Sequence, residues 1–169
     1  MEIMKIYYNF PFWIVILSNS VSVLIYLSGF IITLSLSWIA AILYLIFILA
    51  LECRLLSKHC VNCYYWGKTC GFGKGRLSSL FFKKGDPSKF CENSFAWKDM
   101  IPDLLVPLVP LLIAIVLMII KFNLILLFST IILITLTTSG NGFIRGNLTC
   151  KYCKQRETGC KAEQLFSKK

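Results

Sequence analysis

Four long stretches of this chain carry no charge, and a polar, cysteine-rich segment follows the second and the fourth. No charged residue occurs from Phe10 to Phe30, nor from about Ile31 to Leu51. A third apolar run extends from about Leu104 to Ile120 and a fourth from about Leu124 to Thr138. About 20 apolar residues in helix cross the roughly 30 Å hydrocarbon layer of a bilayer, so the pattern predicts four membrane helices. The joints are short: Ser28-Gly29 in the first pair and Lys121-Phe122-Asn123 in the second. Each pair is therefore expected to form an antiparallel hairpin. Pro107 and Pro110 fall in the first half of the third run, where neighbours must satisfy the carbonyls that proline leaves free. Ser18, Asn19, Ser20 and Ser22 fall mid-span and predict helix–helix hydrogen bonds.

The polar segments repeat a spacing. Cys60-x2-Cys63-x6-Cys70 follows the first pair of runs and Cys150-x2-Cys153-x6-Cys160 follows the second. Each triad is trailed by a similar tract, Leu80-Phe81-Phe82-Lys83-Lys84 and Leu165-Phe166-Ser167-Lys168-Lys169. The expected fold is an all-α membrane protein built by internal duplication. A transmembrane hairpin (1–51) precedes a cysteine-rich module (52–103), and a second hairpin (104–139) precedes a second module (140–169). Gly67, Gly71, Gly73 and Gly75 crowd the first triad, which predicts loop and turn there, with backbone N–H groups turned toward sulfur. Arg76 to Lys84 mixes large apolar and basic residues and suits a short segment at the lipid interface.

Composition supports the membrane reading. The chain is 57% hydrophobic, only 15% charged, and has a mean hydropathy of +0.71. Its net charge of +10 lies beside the apolar runs, where lipid and membrane topology account for it without nucleic acid. All of the 18 Lys and Arg except Lys121 fall on the side that carries both termini and both modules. By the positive-inside rule that side is cytoplasmic, which predicts a multi-pass protein of the cell's inner, cytoplasmic membrane.

A reducing cytoplasm disfavours structural disulfides, so Cys-x2-Cys pairs read as metal chelates: a two-residue gap aims both thiolates of a tight turn at one ion. The chain has eight cysteines. The candidate ligands are Cys60, Cys63 and Cys70, then Cys150, Cys153 and Cys160, with Cys53 and Cys91 as the fourth ligand of one site each. The competing arrangement is one closed four-thiolate site and one three-thiolate site, open or completed by His59. Zinc and an iron–sulfur cluster both fit this donor set. Lys58, Lys68, Lys151, Lys154 and Arg156 would offset thiolate charge, and would equally favour reversible thiol–disulfide chemistry. With Asp103 at the start of the third helix, no Asp, Glu, His, Lys or Arg is expected inside a span, which argues against a proton pump or ion carrier. A single histidine with no serine motif excludes a hydrolase triad.

The stretch from Cys60 to Gly75, with Phe82-Lys83-Lys84-Gly85, and the tail from Cys150 to Cys160 resemble small prokaryotic four-helix membrane proteins. The resemblance implies the same hairpin–module order and carries no mechanism. Quinone-linked disulfide oxidoreductases (the disulfide bond formation protein B and vitamin K epoxide reductase families) also have four spans and reactive cysteines. In the former the reactive pairs lie in the loops within each hairpin, and here those loops hold no cysteine. The expected role is a non-enzymatic anchor, docking or electron-relay component, with a protein partner at the cytoplasmic face and oligomers allowed. The alternatives are an oxidoreductase linked to a lipid-soluble carrier and a structural subunit of a larger membrane complex.

Overall fold

The computed structural model describes residues 6–87, 90, 97–158 and 160. Among them the secondary structure is helical apart from one isolated bridge. Helix α1 spans Phe12–Leu36, α2 Trp38–Arg54, α3 Lys74–Phe81, α4 Trp97–Ile120 and α5 Leu124–Thr135. Four helical paths, Phe12–Leu36, Trp38–Asn62, Ile101–Ile120 and Leu124–Tyr152, are long and apolar enough to cross a membrane. Their outer faces bear large aliphatic side chains; Ile39 is 71% and Ile119 81% exposed. That distribution is unfavourable in water and favourable in lipid. The chain divides into two compact units, one of Met1–Asn19, Cys53–Ala96 and Gly142–Lys169, the other of Ser20–Glu52 and Trp97–Asn141.

The second unit holds the apolar helical cores. Ile25 and Ile32 of α1 pack with Ala114 of α4 and Leu126 and Leu133 of α5. Tyr44 and Ile48 of α2 pack with Val106 of α4. Pro110 removes the N–H that would bond the Val106 carbonyl within α4. The Tyr44 hydroxyl donates to that carbonyl instead, at 3.1 Å.

Several boundaries differ from those expected. The first two helices meet at Ser37, not at Ser28-Gly29. Ser28 lies within α1, where its hydroxyl donates to the Leu24 carbonyl at 2.8 Å, and Gly29 gives the Tyr44 phenol room that a Cβ would fill. At the joint, the Ser37 hydroxyl accepts from the Ala40 N–H at 3.1 Å and starts α2. The Ser139-Gly142 stretch does not end the fourth helical path. The path continues from α5 as a π turn over Leu136–Gly140, an α turn over Asn141–Phe143 and a π turn over Ile144–Thr149. Thr138 and Thr149 hydroxyls bond carbonyls of this path, Thr138 to Ile134 at 2.8 Å and Thr149 to Ile144 at 3.2 Å.

Two of the helices also carry a carboxylate. Glu52 lies near the end of α2 and accepts a hydrogen bond of 2.6 Å from the Tyr26 hydroxyl of α1, while Asp103 lies inside α4. These helices outrun their apolar runs, and both carboxylates stand directly beside the ends of those runs, Leu51 and Leu104. Asn19 differs too: its amide donates to Val15 in its own helix and to the Phe72 carbonyl in the turn after the first triad.

Candidate thiol centre

Both triads lie in the first unit, and their Cys-x2-Cys segments adopt one backbone form. A π turn, Leu55–His59 or Ile144–Thr149, leads directly into a 3-10 turn, Cys60–Asn62 or Cys150–Tyr152. The residue before the first cysteine has φ −100° at His59 and −103° at Thr149. The Cys63 N–H donates to the Cys60 carbonyl, and the Cys153 N–H to the Cys150 carbonyl, both at 3.3 Å. The chain then turns extended at Cys63 and Cys153. Such a turn presents two sulfurs on one side.

The sulfurs receive backbone donors. The Tyr65 N–H bonds Cys63 and the Gln155 N–H bonds Cys153. The Gly75 N–H reaches Cys70 Sγ at 3.4 Å. Gly75 is required there, because a Cβ would run into the Tyr65 carbonyl. Gly67 and Gly73, at φ +74° and +70°, make the turns between Cys63 and α3. The expectation that glycines turn N–H groups toward sulfur holds at Cys70.

Side chains from each turn lock the other. The Tyr65 hydroxyl accepts from the Lys154 N–H at 2.9 Å and donates to the Tyr7 carbonyl at 2.5 Å. Gln155 Oε1 accepts from the Tyr64 N–H at 2.8 Å and faces the Cys63 thiol at 3.7 Å. The Tyr7 N–H donates to the Tyr152 carbonyl at 3.0 Å, and Tyr7 forms a parallel bridge with Cys153. Phe10, Ile14 and Tyr65 are buried at the centre of this contact, with Cys63, Cys70 and Cys153 packed against them. Tyr7 carried no signal in the sequence; for Gln155 the one available signal was its register, matching Tyr65 in the other triad.

Burial pushes the Cys63 thiol up to about 12, with Cys70, Cys60 and Cys160 adding to the rise and the Tyr65 N–H opposing it. Cys153 is likewise pushed up to about 12 by burial, then by Cys63, Cys150 and Cys160, against the Gln155 N–H. Burial and nearby thiols raise Tyr65 as well. The thiols that act on Cys63 and Cys153 thus come from both triads.

The described cysteines are thiols, not disulfides; those of the triads are half-buried and Cys53 is exposed in the last turn of α2. Cys91 and the 165–169 tract lie outside the described residues. His59 ends the π turn before Cys60. Among the described residues, no three side chains of His, Cys, Asp or Glu form a ready metal cage. The basic residues make contacts of their own. Lys154 pairs with Glu157 at 2.5 Å, Lys68 donates to the Tyr64 hydroxyl at 3.1 Å, and Lys151 lies over the Tyr152 ring. No family model, curated protein or solved structure matches this chain.

Proposed function

We propose that the chain is an integral membrane metal-binding protein whose two cysteine triads pool their thiols on the cytoplasmic face. One observation carries this reading: the middle cysteines, Cys63 and Cys153, occupy equivalent turns in one interlocked unit, where Cys160 raises both thiols and Cys63 also raises Cys153. The matched turns support internal duplication. The Tyr26–Glu52 bond and the seating of Tyr44 on Gly29 support an antiparallel first hairpin. Distribution of the basic residues supports the cytoplasmic orientation.

The chemistry favours metal over thiol exchange. A thiolate is the nucleophile in disulfide exchange, and burial that keeps Cys63 and Cys153 protonated suppresses it. A soft cation displaces those protons, and the N–H donors on sulfur then stabilise the thiolates. Zinc and an iron–sulfur cluster both suit the donors. The sulfurs close around the ion as it binds, coupling metal to folding of the unit. The role is an anchored docking or electron-relay surface.

The test is anaerobic purification in mild detergent, with elemental analysis and a visible spectrum on one sample. Stoichiometric zinc, or iron with labile sulfide, is expected. Metal-free protein with all its cysteines open to a thiol reagent would overturn the reading.

A further inference from the structure

Helix α3 is inverted relative to a water-facing helix. Its inner face is small: Gly75 and Ser78 are buried, and the Ser78 hydroxyl donates to the Leu56 carbonyl at 3.1 Å. Its outer face is large and apolar. Leu77, Leu80 and Phe81 follow the spacing of one helical stripe, and Leu80 is 76% and Phe81 71% exposed. A surface helix in water shows the reverse. Exposed Arg76, Lys83 and Lys84 flank the stripe. An open cleft of about 380 Å³ lies between Trp66 and residues 79–84, and the Trp66 indole N–H donates to the Phe82 carbonyl at 3.3 Å. The inner face packs on the π and 3-10 turns that end the Trp38–Asn62 path, which is of membrane length.

We infer that this face docks into the headgroup layer of an anionic lipid leaflet. Leu77, Leu80 and Phe81 enter the acyl boundary, and Lys83 and Lys84 meet lipid phosphates. An apolar stripe edged with basic residues is the surface that interfacial helices present to such lipid. Trp66 at the cleft is of the type that settles at headgroup level. A second copy is a poor cover, because an isologous contact would set the Lys83–Lys84 pairs against each other. The inference stands on α3 and its position, and holds whether or not the thiols carry metal.

The test uses the full chain in nanodiscs of phosphatidylcholine alone or with roughly one third phosphatidylglycerol, read by amide hydrogen exchange over residues 77–82. Exchange there is expected to slow by roughly tenfold on adding the anionic lipid, from the pull on two lysines. The double variant Lys83→Glu/Lys84→Glu removes that difference while α1 exchanges as before. Equal exchange in the two lipids overturns the inference, as does slowing that survives the double variant. Protection that grows with protein concentration in lipid-free detergent also overturns it, since a second copy would then be the cover.

Discussion

Tyr65 and Gln155 stand at matching places, two residues after Cys63 and Cys153, and each accepts a hydrogen bond from the N–H of the residue before the other. Two chemically different side chains make the same reciprocal contact. The Tyr65 hydroxyl adds a bond to the Tyr7 carbonyl, so the segment before α1 is tied into the same contact. Each thiol turn is held in place by the other.

Tyr65→Phe leaves the Lys154 N–H and the Tyr7 carbonyl without this partner, and Gln155→Leu strips the Tyr64 N–H. Each change is expected to cost about 1–3 kcal/mol. Because both act on one contact, the double variant should lose less than the sum. Denaturant unfolding in mild detergent measures this cycle, and strict additivity would show that the two bonds are independent.

Pooling of the triads predicts how metal responds to single substitutions. Cys63→Ser and Cys153→Ser are each expected to lower metal in both triads together, below what one intact triad would hold. Cys53→Ser is expected to leave metal content unchanged, since the thiols acting on Cys63 and Cys153 come from the triads and Cys53 is exposed. Elemental analysis of the three purified variants decides. A loss of metal in Cys53→Ser would identify this residue as a fourth ligand.

In metal-free protein the Cys63 and Cys153 thiols rise from 9.0 to about 12. Between those values the folded chain keeps protons that the unfolded chain has lost. Stability from this source is complete below about pH 9 and falls as pH rises toward about 12. With metal bound, protons compete for sulfur and metal is lost as pH falls. Melting temperature against pH, with and without metal, measures both trends; a flat alkaline profile in the metal-free protein would contradict the first.

Tyr44→Phe keeps the ring and removes the donor to the Val106 carbonyl that Pro110 leaves free. The expected loss is about 1 kcal/mol, typical of a polar contact between membrane helices. Pro110→Ala should offset part of it by restoring an N–H inside α4. Gly29→Ala is expected to cost about 1–3 kcal/mol by overpacking against the Tyr44 phenol. Unfolding in mixed micelles compares the three, and an unchanged Tyr44→Phe would mean that another group serves Val106.

The four membrane-length helices were legible in the chain because lipid imposes a one-dimensional rule: an apolar run must satisfy its own backbone as helix. The matching cysteine turns were legible for a similar reason, since a two-residue gap is a local constraint. The demand that a neighbour serve the carbonyl freed by Pro110 was legible, but not that Tyr44 meets it. That α1 runs on past Ser28-Gly29 was not legible, because Gly29 serves the Tyr44 phenol, a contact between residues distant in sequence. The fourth path ran through Ser139-Gly142 because helical bonding continues in π turns, which local turn preference does not reveal. Cys53 was equivalent to Cys91 by ligand arithmetic, and only folding placed Cys53 at an exposed helix end. Tyr7 and Gln155 have no marked pattern around them. Their roles arise from the approach of two distant turns, and that approach depends on packing around Phe10, Ile14 and Tyr65.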